Sequence, residues 1–344
     1  MFRFSVRAAL VWVFAFVALL PPFVQNVAFL STEAITGSFL AIGFASLCLF
    51  IVERRWPYCA LASFFFAWAA LTRPTNVITP FLLVFLLLLF LGKRLLRAAV
   101  VLVCLTTLLV GSYVGYNAFK FHYLGFTYQT GSYLTSITTE LYPEIDNPIA
   151  REELLKGRNE MYAAGMNPHD AVWRARKPLE ERLGLSEVQL AKFLMRMNVR
   201  LITHHPQAYL EAVAQAATSY WFPYVTKLIG GTSIRTLLWD AMEDLLAAIF
   251  LIEVVMLTGM AMGFKILTGK FVLMGDRTLA YLMALGIIFQ TQIVSCAVIG
   301  ASIPRYRSVT ELLILFAILL VADWALAARH STSVANLAVS RLND

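Results

Sequence analysis

The sequence predicts an all-α fold, a polytopic helical membrane protein, and three observations carry that prediction. Of its 344 residues, 59% are hydrophobic and 14% charged, with a mean hydropathy of +0.71, a composition that a water-soluble fold does not sustain. The apolar residues gather in repeated runs of roughly 20, the length that crosses a hydrocarbon core as a helix. These runs lack the alternation of an outer-membrane barrel. Basic residues sit in the short connections between runs, so the net charge of +7 reads as an orientation signal and not as affinity for nucleic acid.

Taken in order, eight helices are expected near 8–27, 34–52, 57–72, 76–92, 98–117, 239–263, 278–298 and 309–328. Arg3 and Arg7 precede the first. A cytoplasmic N-terminus then puts Arg54-Arg55, Lys93-Arg94 with Arg97, Lys265 with Lys270 and Arg277, and Arg329 all inside, with the C-terminus. Three regions follow: an N-terminal membrane bundle of five helices (1–117), an exoplasmic amphipathic helical segment (118–238), and a C-terminal bundle of three helices with a short cytoplasmic tail (239–344). The first segment also has the outline of a signal peptide, with two arginines, a short apolar core and Ala28 as a cleavage residue. Pro21-Pro22 and the apolar run through Phe29-Leu30 fit a kinked helix end better. Cys48, Cys59, Cys104 and Cys296 lie in or beside apolar runs without ligand-like spacing, and read as buried packing residues.

The long polar segment reads as a set of helices with identifiable starts. Pro148 after Asn147 opens one, and Asn167-Pro168-His169-Asp170 another. Ser186-Glu187-Val188-Gln189 is a capping box, in which serine and glutamine satisfy each other's backbone donors. That helix runs to His204-His205-Pro206, where proline imposes a break or a new start. From Pro206 to Trp221 one face is apolar, with Tyr209, Val213, Ala217, Tyr220 and Trp221 close in phase. It suits the membrane interface or packing against the rest of the loop, and the sequence leaves both open.

Several polar residues at the exoplasmic helix ends are candidates for chemistry. Arg73, in Leu71-Thr72-Arg73-Pro74-Thr75-Asn76, and Arg305 with Arg307, in Ile303-Pro304-Arg305-Tyr306-Arg307, stand against the positive-inside bias. Guanidinium groups grip phosphate through paired hydrogen bonds and keep their charge beside a low-dielectric surface. The same arginines would also serve to snorkel toward lipid headgroups. Glu33 begins the second helix on that face. It reads either as a first-turn acid favoured by the helix dipole, or as a cavity acid that orients an acceptor hydroxyl or holds a divalent cation. Lys120 and His122, after Tyr116-Asn117, read as interfacial anchors or headgroup contacts. Asp240, Glu243 and Asp244 suit a helix start. Glu253 lies inside Phe250-Leu251-Ile252-Glu253-Val254-Val255, and an intramembrane carboxylate needs a partner or a function. His204-His205 lacks a third ligand at metal-binding spacing and reads as a polar helix end; no metal site is expected.

The order of these motifs resembles the GT-C superfamily of membrane glycosyltransferases, of the protein O-mannosyltransferase, lipid A aminoarabinose transferase and Rgt-like type. The stretches that carry the resemblance are Leu30-Ser31-Thr32-Glu33-Ala34, Ala70-Leu71-Thr72-Arg73-Pro74-Thr75, Tyr116-Asn117 before Leu124-Gly125-Phe126, and Pro304-Arg305-Tyr306-Arg307 before the last apolar run. His205-Pro206-Gln207-Ala208-Tyr209-Leu210 also resembles the family helix before the late spans. The resemblance implies an inverting transfer of a sugar from a polyprenyl-phosphate donor to a lipid, glycan or protein acceptor at the exoplasmic face of a bacterial inner membrane. It implies that Arg73, Arg305 and Arg307 hold the donor phosphate, that Tyr116 and Asn117 border the site, and that Glu33 lines the cavity as a stand-in catalytic base. Family members carry the acidic base on a first exoplasmic loop, upstream of the matched stretch, so the chain is expected to open inside the family fold. Two other readings remain: a non-catalytic membrane subunit that binds a lipid carrier, and a transporter or flippase of lipid-linked saccharides. The latter expects internal repeats and midplane polar residues.

Overall fold

The computed structural model describes residues 32–91, 95–221, 245, 247–257, 276–299 and 309–321. It is 90% helical, with no strand among the described residues. The helices are α1 (Thr32–Glu53), α2 (Trp56–Thr72), α3 (Thr79–Leu91), α4 (Leu96–Phe121), α5 (Thr130–Ile137), α6 (Pro148–Ala163), α7 (Ala171–Leu183), α8 (Glu187–His204), α9 (Pro206–Trp221), α10 (Ala247–Leu257), α11 (Asp276–Val294) and α12 (Val309–Val321). Three stretches are long and apolar enough to cross a membrane: α1, α4 and Thr278–Val298. Four shorter apolar helices accompany them, Trp56–Thr72, Pro74–Phe90, Ala247–Leu257 and Val309–Val321. Of the eight expected spans, α3 with 13 residues and α2 with 17 are shorter than a full crossing, and those at 239–263 and 309–328 are described only over 247–257 and 309–321. The expected first span, at 8–27, lies outside the described residues, as do Asp240, Glu243 and Asp244.

The chain runs up and down. α1 has 22 residues, so its ends stand about 33 Å apart. It stops where Arg54 takes a left-handed φ of 57° and the chain reverses through Arg54-Arg55. α2 returns to the Thr32 end, where Pro74 forces Arg73 into an extended conformation (φ −141°, ψ 109°) and breaks the helix. A 3₁₀ turn, Pro74–Ile78, re-aims the backbone into α3. Glu33 and Arg73 thereby share one end, and the Arg54-Arg55 turn lies at the other. Small residues let the helices approach closely. A Cβ on Gly37 of α1 would sit 3.1 Å from the Val309 carbonyl oxygen of α12, so any side chain there would press on the neighbouring backbone. Leu40, Phe66, Leu102, Phe250, Ile287 and Ala317 form one buried cluster across six of these helices.

α6 to α8, with the 3₁₀ turn Thr139–Glu144, build a second, smaller core around Tyr142, Leu154, Val172, Leu179 and Leu194. The helix starts follow local rules. Asn147 accepts from the Ala150 amide at 2.9 Å, Asn167 accepts from the His169 amide at 3.1 Å, and both halves of the Ser186/Gln189 capping box are made. Asn198 of α8 is fully buried and ties this core to α5. Its Oδ1 accepts from the Thr138 hydroxyl at 2.6 Å, and its Nδ2 reaches Thr135 Oγ1 at 2.7 Å and the Gly131 carbonyl at 3.2 Å. At Gly131 a Cβ would collide with the Ala191 carbonyl of α8, so the two backbones touch.

α9 packs both against its own loop, where Ala208 lies on the smaller core, and against the apolar helices. Its Tyr220 and Trp221 enter the larger cluster, with Trp221 stacked on Phe250 at 5.8 Å and near Phe289 at 6.1 Å. Tyr209 donates to the Ala297 carbonyl at 2.6 Å, in the π turn Ser295–Ile299 that ends α11. The same π turn packs against α5. Of the cysteines, Cys48, Cys59 and Cys296 are buried as expected, but Cys104 is exposed. α4 is mostly uncovered, and Cys104 falls on its outer face with Val100 and Leu108 nearby.

Candidate functional site

At the Arg73 end of the apolar helices lies a cavity of about 870 Å³, within the size range of small-molecule sites. Its floor is the break after α2, formed by Arg73, Pro74, Thr75, Val77 and Ile78. One wall is the end of α4 with Tyr113, Asn117 and Phe121. Another is the connection from Tyr123 to Thr130, and the rest comes from Tyr133, from Glu187 and Val188 at the start of α8, and from Val294 and Val298. Apolar surface therefore meets a rim of hydroxyls, amides, one guanidinium and one carboxylate.

Arg73 is held from two directions. Its Nη2 donates to Glu33 Oε1 at 2.7 Å, with both side chains largely buried. Thr32 donates to the other Glu33 oxygen at 3.2 Å, and Thr36 and Thr72 hydroxyls meet at 2.9 Å beside them. The turn that carries Arg73 is pinned to α11. Gln290 Nε2 donates to the Thr75 carbonyl at 2.6 Å, Gln290 Oε1 accepts from Thr79 at 2.6 Å, and Thr291 donates to Asn76 Oδ1 at 3.4 Å. Gln290, Thr79, Thr291 and Asn76 are buried and Thr75 is half-buried, which makes the position of the turn well determined.

Asn117 fixes the connecting wall. Its amide donates to the carbonyls of Gly125 at 2.9 Å and Phe126 at 3.4 Å, and Tyr123 donates to the Thr127 carbonyl at 2.7 Å. Burial raises the Tyr123 phenol above its usual range, so it stays a donor at neutral pH. At the far wall Tyr128 donates to Glu187 Oε1 at 2.8 Å, and that bond raises the Tyr128 phenol as well, with burial adding to it. Arg176 of α7 also donates to Glu187 Oε1 and lies over the Tyr128 ring, 5.6 Å from its centre.

The sequence candidates divide on this geometry. Arg73 and Asn117 line the cavity. Glu33 holds Arg73 and is not among the lining residues, so the carboxylate inside the cavity is Glu187 instead. Tyr116, next to Asn117, points outward: it is 54% exposed and meets Phe121 edge to face at 6.1 Å. Lys120 and His122 are exposed and do not line the cavity. Arg305 and Arg307 lie outside the described residues. Glu253 of α10 is half-buried, with Oε1 lacking a hydrogen bond and the Tyr281 side chain close by. His204 bonds back to the Arg200 carbonyl at 2.8 Å as a helix end does, and among the described residues no three His, Cys, Asp or Glu gather.

Sequence reasoning missed Tyr128, Tyr133, Gln129 and the second role of Glu187, as well as the Gln290–Thr79 link. A signal existed for each set. Five tyrosines fall between 113 and 133, and Gln290-Thr291-Gln292 interrupts an apolar helix. No family model, no curated protein and no solved structure matches the chain.

Proposed function

We propose that this chain is a GT-C-like glycosyltransferase, or a portion of one, that takes a sugar from a polyprenyl-phosphate donor and passes it to an acceptor at the exoplasmic face of a bacterial inner membrane. In this reading eight helices cross the bilayer, both termini are cytoplasmic, and the cavity opens at the exoplasmic helix ends. The observation that carries it is the cavity itself. A buried, carboxylate-anchored arginine stands at the ends of apolar helices, below a wall of tyrosines, amides and hydroxyls. A lipid phosphate needs an arginine at membrane depth, and a sugar needs planar aromatic surface with donors and acceptors around it. Arg305 and Arg307 would add to the phosphate grip by the resemblance alone.

One observation favours the second reading, a lipid-carrier-binding subunit without chemistry. Glu33, the acid that the resemblance offers as a base, is engaged with Arg73 and does not line the cavity. Both readings share the phosphate site, and one measurement tests it. The protein in lipid nanodiscs is titrated with undecaprenyl phosphate and, separately, with undecaprenol. Phosphate-dependent binding is expected, weakened at least tenfold by Arg73→Ala and only partly by Arg73→Lys, which keeps charge but loses the planar fork. Equal affinity for the alcohol and the phosphate sinks the donor-site reading.

A further inference from the structure

Two carboxylates stand near the cavity, and their surroundings differ. Glu33 is 5% exposed, and its two oxygens face Arg73 and Thr32. Glu187 lines the cavity and is, among the described lining residues, the sole carboxylate. Its side chain is 48% exposed, so a ligand reaches it. The hydrogen bonds that it accepts from Tyr128 and Arg176 both fall on Oε1. Among the described residues Oε2 accepts no hydrogen bond, which leaves it for whatever enters the cavity.

The three residues come from three different elements. Tyr128 lies on the wall held by Asn117, Arg176 on α7 and Glu187 on the first turn of α8. Arg176 is itself steadied by Glu180, one helical turn away at 3.4 Å, and by the Tyr128 ring. A carboxylate clamped at one oxygen from two sides has its other oxygen aimed, which is what an acid–base group requires and a surface ion pair does not. The capping box accounts for Ser186 and Gln189, but it makes no use of the Glu187 side chain.

We infer that Glu187 is the catalytic base of the cavity, with Oε2 accepting the proton of the acceptor hydroxyl and Tyr128 and Arg176 acting as positioning residues. The inference rests on the transferase reading above. As the acceptor oxygen forms its bond to the anomeric carbon, its proton passes to Glu187 Oε2. The bond between that carbon and the phosphate oxygen breaks, and its electron pair leaves with the polyprenyl phosphate. The proton then goes to solvent through the exposed side of Glu187. Arg73 takes up the charge on the departing phosphate. Water is the smallest acceptor that satisfies this scheme, and it gives free sugar.

The experiment uses the full chain in nanodiscs and two readouts. Binding of undecaprenyl phosphate reports the donor site. Release of free sugar in a single turnover, from a panel of undecaprenyl-phosphate hexoses and pentoses, reports the chemistry. Wild type is expected to release sugar from at least one donor, with a rate that rises with pH along an acid limb. Glu187→Gln should bind undecaprenyl phosphate within about twofold of wild type, release sugar at least about 100-fold more slowly and lose the acid limb. Glu187→Asp should restore part of the rate, and Tyr128→Phe should displace the acid limb with a smaller loss of rate. A Glu187→Gln rate and pH profile like wild type overturns the assignment while leaving the donor site standing. So does a wild type that binds the carrier but releases no sugar. A wild type that does not bind undecaprenyl phosphate overturns the underlying reading, and this one with it.

Discussion

Asn198 and Gln290 are the same chemical group, a buried amide on a helix, in two different regions. Asn198 sits between α8 and α5 beside the small core of α6–α8, whose outer surface carries charges such as Arg200, Asp146, Arg182 and Glu152. Gln290 sits between α3 and α11, whose outer faces are apolar: Phe85, Leu89 and Ile293 are each at least 60% exposed. In the first region water drives apolar residues inward, and a buried amide interrupts that core. In the second, apolar residues lie both inside and outside. There the specific contacts are close helix approach at small residues and paired polar groups such as Gln290 with Thr79 and Thr75. The cavity is at the seam, where the break after α2 meets the wall of tyrosines and amides.

The largest effect is expected at Asn198. Leucine there removes the bonds of the amide with the Gly131 carbonyl and with two buried threonine hydroxyls, whose remaining partners lie within their own helical turns. The cost should be about 3 kcal/mol, because three buried bonds between α8 and the α5 region are lost at about 1 kcal/mol each. Urea unfolding of the full chain in nanodiscs, followed by proteolysis within 130–204, measures it. A loss below about 1 kcal/mol would mean that this core does not exclude water.

Next comes the pair at the seam. Glu33→Gln removes the carboxylate from a buried guanidinium and should cost about 3 kcal/mol, since breaking one side of a buried ion pair leaves the other charge poorly compensated. The double substitution Glu33→Gln with Arg73→Met should recover much of that. A double variant as unstable as the sum of the two singles would show that the charges do not couple, and thermal melts of the four proteins decide it.

How far the sequence foretold this picture depends on how local each feature is. The caps at Asn147, Asn167 and Ser186 were legible because a cap is a bond over two or three residues. Alternating charge and apolar length put Glu33 and Arg73 at one end of the helices, and the structure brings them into contact. Rotation about a helix axis was not legible. Tyr116 and Asn117 are neighbours, yet Asn117 is drawn inward by the Gly125 and Phe126 carbonyls while Tyr116 faces out. Cys104 is apolar in sequence context and exposed in fact, because among the described residues α4 packs chiefly against α2 and α3. Gln290 meets Thr79 across 211 positions, and no periodicity within either segment encodes that meeting. Glu187 is masked by its own motif. An acid in the first turn of a capped helix has a sufficient local reason to be there, whereas its bond to Tyr128 spans 59 positions.

The smallest effect is the most informative about surroundings. Gln290→Leu removes bonds to the Thr75 carbonyl and the Thr79 hydroxyl, about as many as a loop-core amide makes to α5. If α3 and α11 are surrounded by lipid, leucine is as well solvated there as in the bundle, and the unfolded helices find other partners for their polar groups. The loss should then be about 1 kcal/mol, well short of the Asn198 value. Thr79 would keep a route to its own helix backbone, as threonines on apolar helices commonly do. If the same helices instead formed the core of a bundle in water, Gln290→Leu would take buried bonds from Thr75 and Thr79 as Asn198→Leu takes them from its partners, and the two costs would be similar. Melting both variants in nanodiscs of one lipid composition compares them directly. Equal losses would remove the membrane from the account of this region, and with it the reason for a lipid-linked donor.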